Sequence, residues 1–189
     1  MNLGRSKNIN SKVSDLEEML PNDKMAEQAV LGAILINNSI FLQILDILNA
    51  EDFFSPSHKL IFSAMQEMVS KEPPIPIDEI TLFKQLESRK QLEQTGGVEY
   101  LNELSRKTPV AENAEFYAQI VREKGQLRDI ILTAHQVAKQ GKEGSSENIS
   151  DFIAEATERL EAIEARSRIN SYTHIKEILS SNFEELEKI

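Results

Sequence analysis

The sequence of 189 residues contains no cysteine, which excludes disulfides, thiolate metal sites and cysteine catalysis together and agrees with a cytoplasmic location. It has no uninterrupted apolar run near the ~18–20 residues that cross a bilayer, so no membrane is expected among its partners. The opening stretch has scattered charge and no apolar h-region, so a secretory signal is not expected there. Basic residues are in deficit, 21 against 31 acidic, for a net charge of −10. Splitting the chain at Pro109 leaves −5 on each side, so neither half carries a basic block. Nucleic-acid affinity rests largely on cationic groups that displace phosphate counterions, and direct binding to DNA or RNA is therefore not expected.

Chemistry is missing as well. Gly141-Lys142 is followed by Glu143, with no glycine five residues earlier, so there is no phosphate-cradling loop. His58, His135 and His174 are isolated in sequence and lack metal-ligand spacing, and His58 reads as a residue packed near the start of its helix. With 31 carboxylates, any proposed acid/base pair is uninformative. The expected catalytic, cofactor-binding and metal residues are none.

What is present is helical periodicity. An all-α fold is expected: a flexible lead-in over 1–20, a globular helical subdomain over 21–109, a long antiparallel hairpin over 110–170, and a linker helix from 171 to 189. The first helix is capped by Asn22 or Asp23 and sets Met25, Val30, Ala33 and Ile34 on or near one face. Ile40, Phe41, Ile44, Leu45 and Leu48 mark the second. Ser55-Pro56 starts a third helix to about Ser70, in which Met65 and Met68 read as core filler. Three prolines exclude regular helix from "KEPPIPI", after which Asp78 caps a helix bearing Leu82, Phe83 and Leu86. Gly96-Gly97 reads as a turn before a short helix with Tyr100, Leu101 and Leu104.

In the hairpin, Ile149, Ile153, Ala156, Leu160 and Ile163 form a coiled-coil-like seam. The first helix has a wider surface: Phe116, Ile120, Leu127, Ile131, Ala134 and Ala138, with Tyr117, Val121, Ile130 and Val137 beside them. One seam closes a hairpin, so Tyr117, Val121 and Val137 are expected to pack against something further. Gly125, in mid-helix, costs about 1 kcal/mol against alanine; it reads as a site of close helix approach, a local bend or tolerated drift. Past the hairpin, Ile175, Ile178, Leu179, Phe183, Leu186 and Ile189 begin an amphipathic run with no stop signal, so more chain is expected to follow.

The segments "AEQAVLGAIL", "AEDFFSPSHKLIFSAM", "PIDEITL", "GGVEYLNEL" and "NAEFYAQIVREKGQLRDII" stand in that order. Together, from about Pro21 to Arg168, they resemble the amino-terminal domain of the bacterial DnaB-type replicative DNA helicases. The tail from Thr173 resembles the linker helix leading into that family's ATPase domain. The resemblance implies an amino-terminal collar domain of a hexameric helicase, acting in DNA replication as an oligomerisation scaffold and primase-docking module. It implies no enzyme activity or cofactor for this fragment, with ATP and Mg bound in a domain beyond it. The implied partners are further copies of the chain, as dimers building a hexameric collar, then primase, with a helicase loader possible.

By position, the resemblance assigns Tyr100, Ile131 and Val137 to the primase side. It assigns Phe116, Ile120, Leu127, Ile149, Ile153 and Leu160 to the hairpin seam and subunit packing, and Ile178, Leu179, Phe183 and Leu186 to linker docking. "KEPPIPIDE" is longer than the family's usual connection, and Gly125 replaces a better helix former. A freestanding α-helical helicase adaptor or loader is the alternative reading, and a small nucleic-acid binder ranks third.

Overall fold

The computed structural model describes residues 20–144 and 148–165, and among these it contains helices and no strand. Five helices make a head: α1 (Lys24–Ile36), α2 (Phe41–Ile47), α3 (Pro56–Val69), α4 (Glu79–Ser88) and α5 (Gly97–Lys107). The long α6 (Ala114–Glu143) follows, and α7 spans 149–165. Short 3-10 turns at Asn38–Ile40, Ala50–Asp52, Glu93–Thr95 and Ala111–Asn113 fill the corners. The linker-docking candidates Ile178, Leu179, Phe183 and Leu186 lie outside the described residues, as does most of the lead-in.

The helix starts follow their capping chemistry. Asp23 accepts from the Ala26 N–H at 3.0 Å, settling the first cap in favour of Asp23 over Asn22. Asp78 accepts from Ile80 N and Thr81 N at 2.9 and 2.8 Å, while its own N–H donates to the Thr81 hydroxyl at 3.0 Å. Ser55 holds the cap position of α3, but its hydroxyl pairs with Ser57 instead of the backbone. Glu27, reaching across from α1, accepts from the N–H of Ser55 itself.

The core is aliphatic with a small aromatic centre. Phe62 stands 5.5 Å from Phe41 and 5.0 Å from Phe53, and Leu31, Ile34, Ile44, Ile61, Met65, Met68, Leu82 and Leu86 enclose them with no solvent exposure. Each fully buried side chain of this size stabilises by roughly 1.5–3 kcal/mol, so these residues set the head's stability. Val30, Ala33 and Ile34 lie inside as expected, but Met25 does not: it is 80% exposed. Met25 lies one residue into α1, outside the face that Ala26, Ala29, Val30 and Ala33 bury.

The helix α6 is about 45 Å long at 1.5 Å per residue, and its first half is built into the head. Ala114, Ala118, Val121, Arg122, Gly125 and Arg128 form its buried face at helical spacing. For Tyr117 and Val121 the further partner expected from the sequence is the head itself. Val121 is core, and Tyr117 packs half-buried against it, so both find their partner inside the head. The distal half of α6 projects from the head and pairs with α7.

Candidate interaction surface on the hairpin

On the distal half of α6, Thr133, Val137 and Gln140 are half-buried, and the matching positions on α7 are Phe152, Ala156, Arg159 and Ile163. A methyl placed on Gly141 would meet the Phe152 ring at 3.5 Å, and Arg159 donates to Gln140 Oε1 at 3.3 Å. The seam between the two helices is therefore Phe152, Ala156 and Ile163. Of the expected seam, Ala156 and Ile163 are in place, while Ile149, Ile153 and Leu160 lie off it and Phe152 completes it; the expectation is corrected for those three. Both lines have the same four-and-three spacing, so periodicity does not distinguish them; the bulk of Phe152 was the signal passed over.

The corrected seam leaves Ile149, Ile153 and Leu160 exposed at 75%, 59% and 47%. On α6, Phe116, Ile120, Leu127 and Ile131 are exposed as well. On α6, one side faces the head and a second faces α7; the apolar line from Phe116 to Ile131 occupies the third. Because α7 runs antiparallel, its helical turn brings the Ile149, Ile153 and Leu160 line round to the same side. The six seam and packing candidates thus share one open face spanning both helices. Of the three residues assigned to the primase side, Ile131 is on this face. Val137 is half-buried towards α7, and Tyr100 is on the head, distant in sequence from both.

The α6 seat is polar at its centre. Asp52 accepts from the Arg122 guanidinium at 2.6 Å and, through Oδ2, from the Asn49 N–H at 2.7 Å. Arg128 donates to the carbonyls of Asp52 and Pro21 and lies over the Phe54 ring, 5.6 Å from its centroid. Burial pulls the Arg128 guanidinium below its ordinary pKa, while the carboxylates of Glu27, Asp129 and Asp52 pull it back up. At Gly125 a methyl would stand 3.1 Å from the Asp52 backbone. Gly125 is thus a close-approach site: it lets the "NAEDFFSP" corner rest on α6.

A second buried polar group lies behind that corner. Glu27, 2% exposed, accepts from Phe54 N at 2.5 Å, Ser55 N at 3.3 Å and His58 Nδ1 at 2.6 Å. These donors sit at the start of α3, where a carboxylate is also favoured by the helix dipole. His58 Nε2 is 2.6 Å from the Tyr100 hydroxyl, which accepts from Gln28 Nε2 at 3.0 Å. With the proton on Nδ1, Tyr100 donates to Nε2 and every member of the chain has a partner. The Tyr100 ring stacks on His58 at 5.9 Å and 8°. Gly96 permits this placement, because its φ is +90° and a Cβ there would meet Tyr100 Cβ at 2.9 Å. Burial raises the Tyr100 phenol above its ordinary pKa, opposed by the Gln28 hydrogen bond.

His58 is therefore not isolated in space, although its partners lie 31 and 42 residues away and no local spacing gives them. The one sequence signal was Glu27, a carboxylate within the otherwise apolar run "AEQAVLGAIL". His135 is exposed on α6. Among the described residues no three His, Asp or Glu side chains are grouped to hold a metal, and no single helix is long and apolar enough to cross a membrane.

These features define, among the described residues, an all-α domain: a closed helical head carrying a hairpin with an open apolar side. Residues 19–123 match the family model of the DnaB-like helicase N terminal domain, and the chain belongs to that family. It is 35% identical over 173 residues to the replicative DNA helicase DnaB of Geobacillus stearothermophilus, covering 92% of this chain and 37% of that protein. It is 32% identical to the replicative DNA helicase DnaC of Bacillus subtilis (strain 168), with the same two coverages. The chain thus spans little more than a third of the length of these relatives, at their amino-terminal end. The crystal structure of the N-terminal domain of DnaB helicase from Mycobacterium tuberculosis is similar, with a TM-score of 0.68 and 30% identity, over 75% of this chain and 98% of that one. A structure of a DnaB-like replicative helicase and its interactions with primase matches with a TM-score of 0.62 and 28% identity, over 88% of this chain and 35% of that one.

Proposed function

We propose that this chain is the amino-terminal collar domain of a hexameric replicative DNA helicase, where it holds subunits together and gives primase a docking surface. The observation that carries the reading is the open face of Phe116, Ile120, Leu127, Ile131, Ile149, Ile153 and Leu160 on a hairpin whose own seam is already closed by Phe152, Ala156 and Ile163. Large apolar side chains left open along one side of a helix pair mark an association site. Neighbouring copies of the chain cover the Phe116, Ile120, Ile149 and Ile153 part as dimers build a ring of six. Ile131 and Tyr100 face primase, with Val137 half-buried at the α7 seam, and the solved relative described with primase supports that partner.

On this reading Ile178, Leu179, Phe183 and Leu186 dock the linker onto the motor domain of the parent protein. ATP and Mg are used in that domain, the setting is cytoplasmic, and a loader contacts the same assembly. The −10 charge supports a scaffold that leaves DNA to the motor ring. The test is mass by light scattering, with and without the carboxyl-terminal domain of primase. The expected result is self-association, with a further mass increase when the primase domain is added. A particle of single-chain mass under both conditions would overturn the proposal.

A further inference from the structure

The two polar clusters of the head are one connected chain. Starting outside, the half-buried Tyr100 hydroxyl bonds His58, and His58 bonds Glu27. Glu27 accepts from the N–H groups of Phe54 and Ser55, and the Phe54 ring lies under the Arg128 guanidinium. Arg128 holds the Asp52 carbonyl, and Asp52 pairs with Arg122. The Glu27 carboxylate acts electrostatically on both ends, since it bears on the Tyr100 phenol and on the Arg128 guanidinium. The route thus runs from α5 through α3 and α1 to the corner 49–55 and into α6, through groups with little water around them. In such surroundings a lost hydrogen bond is felt by the next member of the chain.

We infer that this chain couples the surface around Tyr100 to the seating of α6 on the head, so that contact at Tyr100 alters how firmly the hairpin is held. Tyr100 acts as a positioning residue: its hydroxyl fixes His58, His58 fixes Glu27, and Glu27 fixes the corner that Arg128 and Gly125 grip. On the function proposed above, this is how a partner on the head would be sensed at the open face of α6. The coupling itself is a property of one chain and is measured without any partner.

The experiment is hydrogen exchange on the 189-residue chain, kept dilute, comparing wild type with Tyr100→Phe. That substitution keeps the ring stacked on His58 and removes only the hydroxyl. Exchange over residues 118–128 is expected to rise about five-fold, the lower end of coupling between sites, while residues 133–143 of the same helix stay unchanged. Gln28→Ala, which removes the other partner of the hydroxyl, should give a weaker change with the same pattern. Arg128→Gln should by reciprocity speed exchange over residues 98–104. A change confined to α3 and α5, or a uniform rise through the whole head, would overturn the inference. Either result would leave the collar reading untouched, because no association is measured.

Discussion

The head and the hairpin use similar side chains to opposite ends. In the head, Phe62, Leu31 and Ile34 are sealed with no exposure, and even the charged Glu27, Asp52 and Arg122 lie inside with partners. In the hairpin, isoleucines and a phenylalanine of equal size stand in water, Ile149 at 75% and Phe116 at 68% exposed. The contrast shows that apolar periodicity fixes where a surface is, while its burial depends on what other elements cover it. The head supplies its own cover. The hairpin uses one side of each helix for its seam and leaves another open.

Stability experiments should divide along the same line. Phe62→Ala removes the centre of the aromatic cluster and should cost about 3–5 kcal/mol, whereas Leu160→Ala, on the open face, should change unfolding by no more than about 0.5 kcal/mol. Urea unfolding of the two variants checks this, and equal losses would break the comparison. Asp52→Ala leaves the Arg122 charge buried without its 2.6 Å partner and should cost about 3 kcal/mol. The loss should shrink in Asp52→Ala combined with Arg122→Met, which removes the buried guanidinium as well.

Gly125→Ala tests the seat with the sign of the effect. Helix propensity alone favours alanine by about 1 kcal/mol, but the 3.1 Å approach of Asp52 opposes it. A net loss of about 1 kcal/mol is expected, within the range for overpacking; a gain would show that the corner moves aside freely. The smallest effect is alkaline. Burial raises the Tyr100 phenol, so the folded head favours the protonated form. This contribution is complete below the ordinary phenol value of about 10 and is lost as pH climbs through the higher folded value. Wild type should therefore lose melting temperature more steeply than Tyr100→Phe above that pH, and parallel curves would remove the claim.

The sequence was most informative where physics is local. The Asp78 cap, the narrowing of the first cap to Asn22 or Asp23, the proline loop, the Gly96 turn and the helical periods all follow from neighbours within four residues, and the all-α class follows from them. Choices made at a distance were hidden. Glu27, His58 and Tyr100 come together from three helices, and Asp52 meets Arg122 across 70 residues. The hairpin seam was read in part: Ala156 and Ile163 belong to it, but Phe152 completes it where Ile149, Ile153 and Leu160 were expected, and only the packing of α6 selects between these positions. Gly125 was ambiguous in sequence because the backbone it admits lies on another element.

The central claim is that the open hairpin face is an assembly surface, and sedimentation equilibrium over a range of concentrations tests it most directly. Wild-type chain should form a dimer or larger species, and Phe116→Glu combined with Ile153→Glu should sediment as a single chain while melting at the wild-type temperature. A wild-type chain that stays single at the highest concentration reached, or a double variant that associates like wild type, would contradict the account.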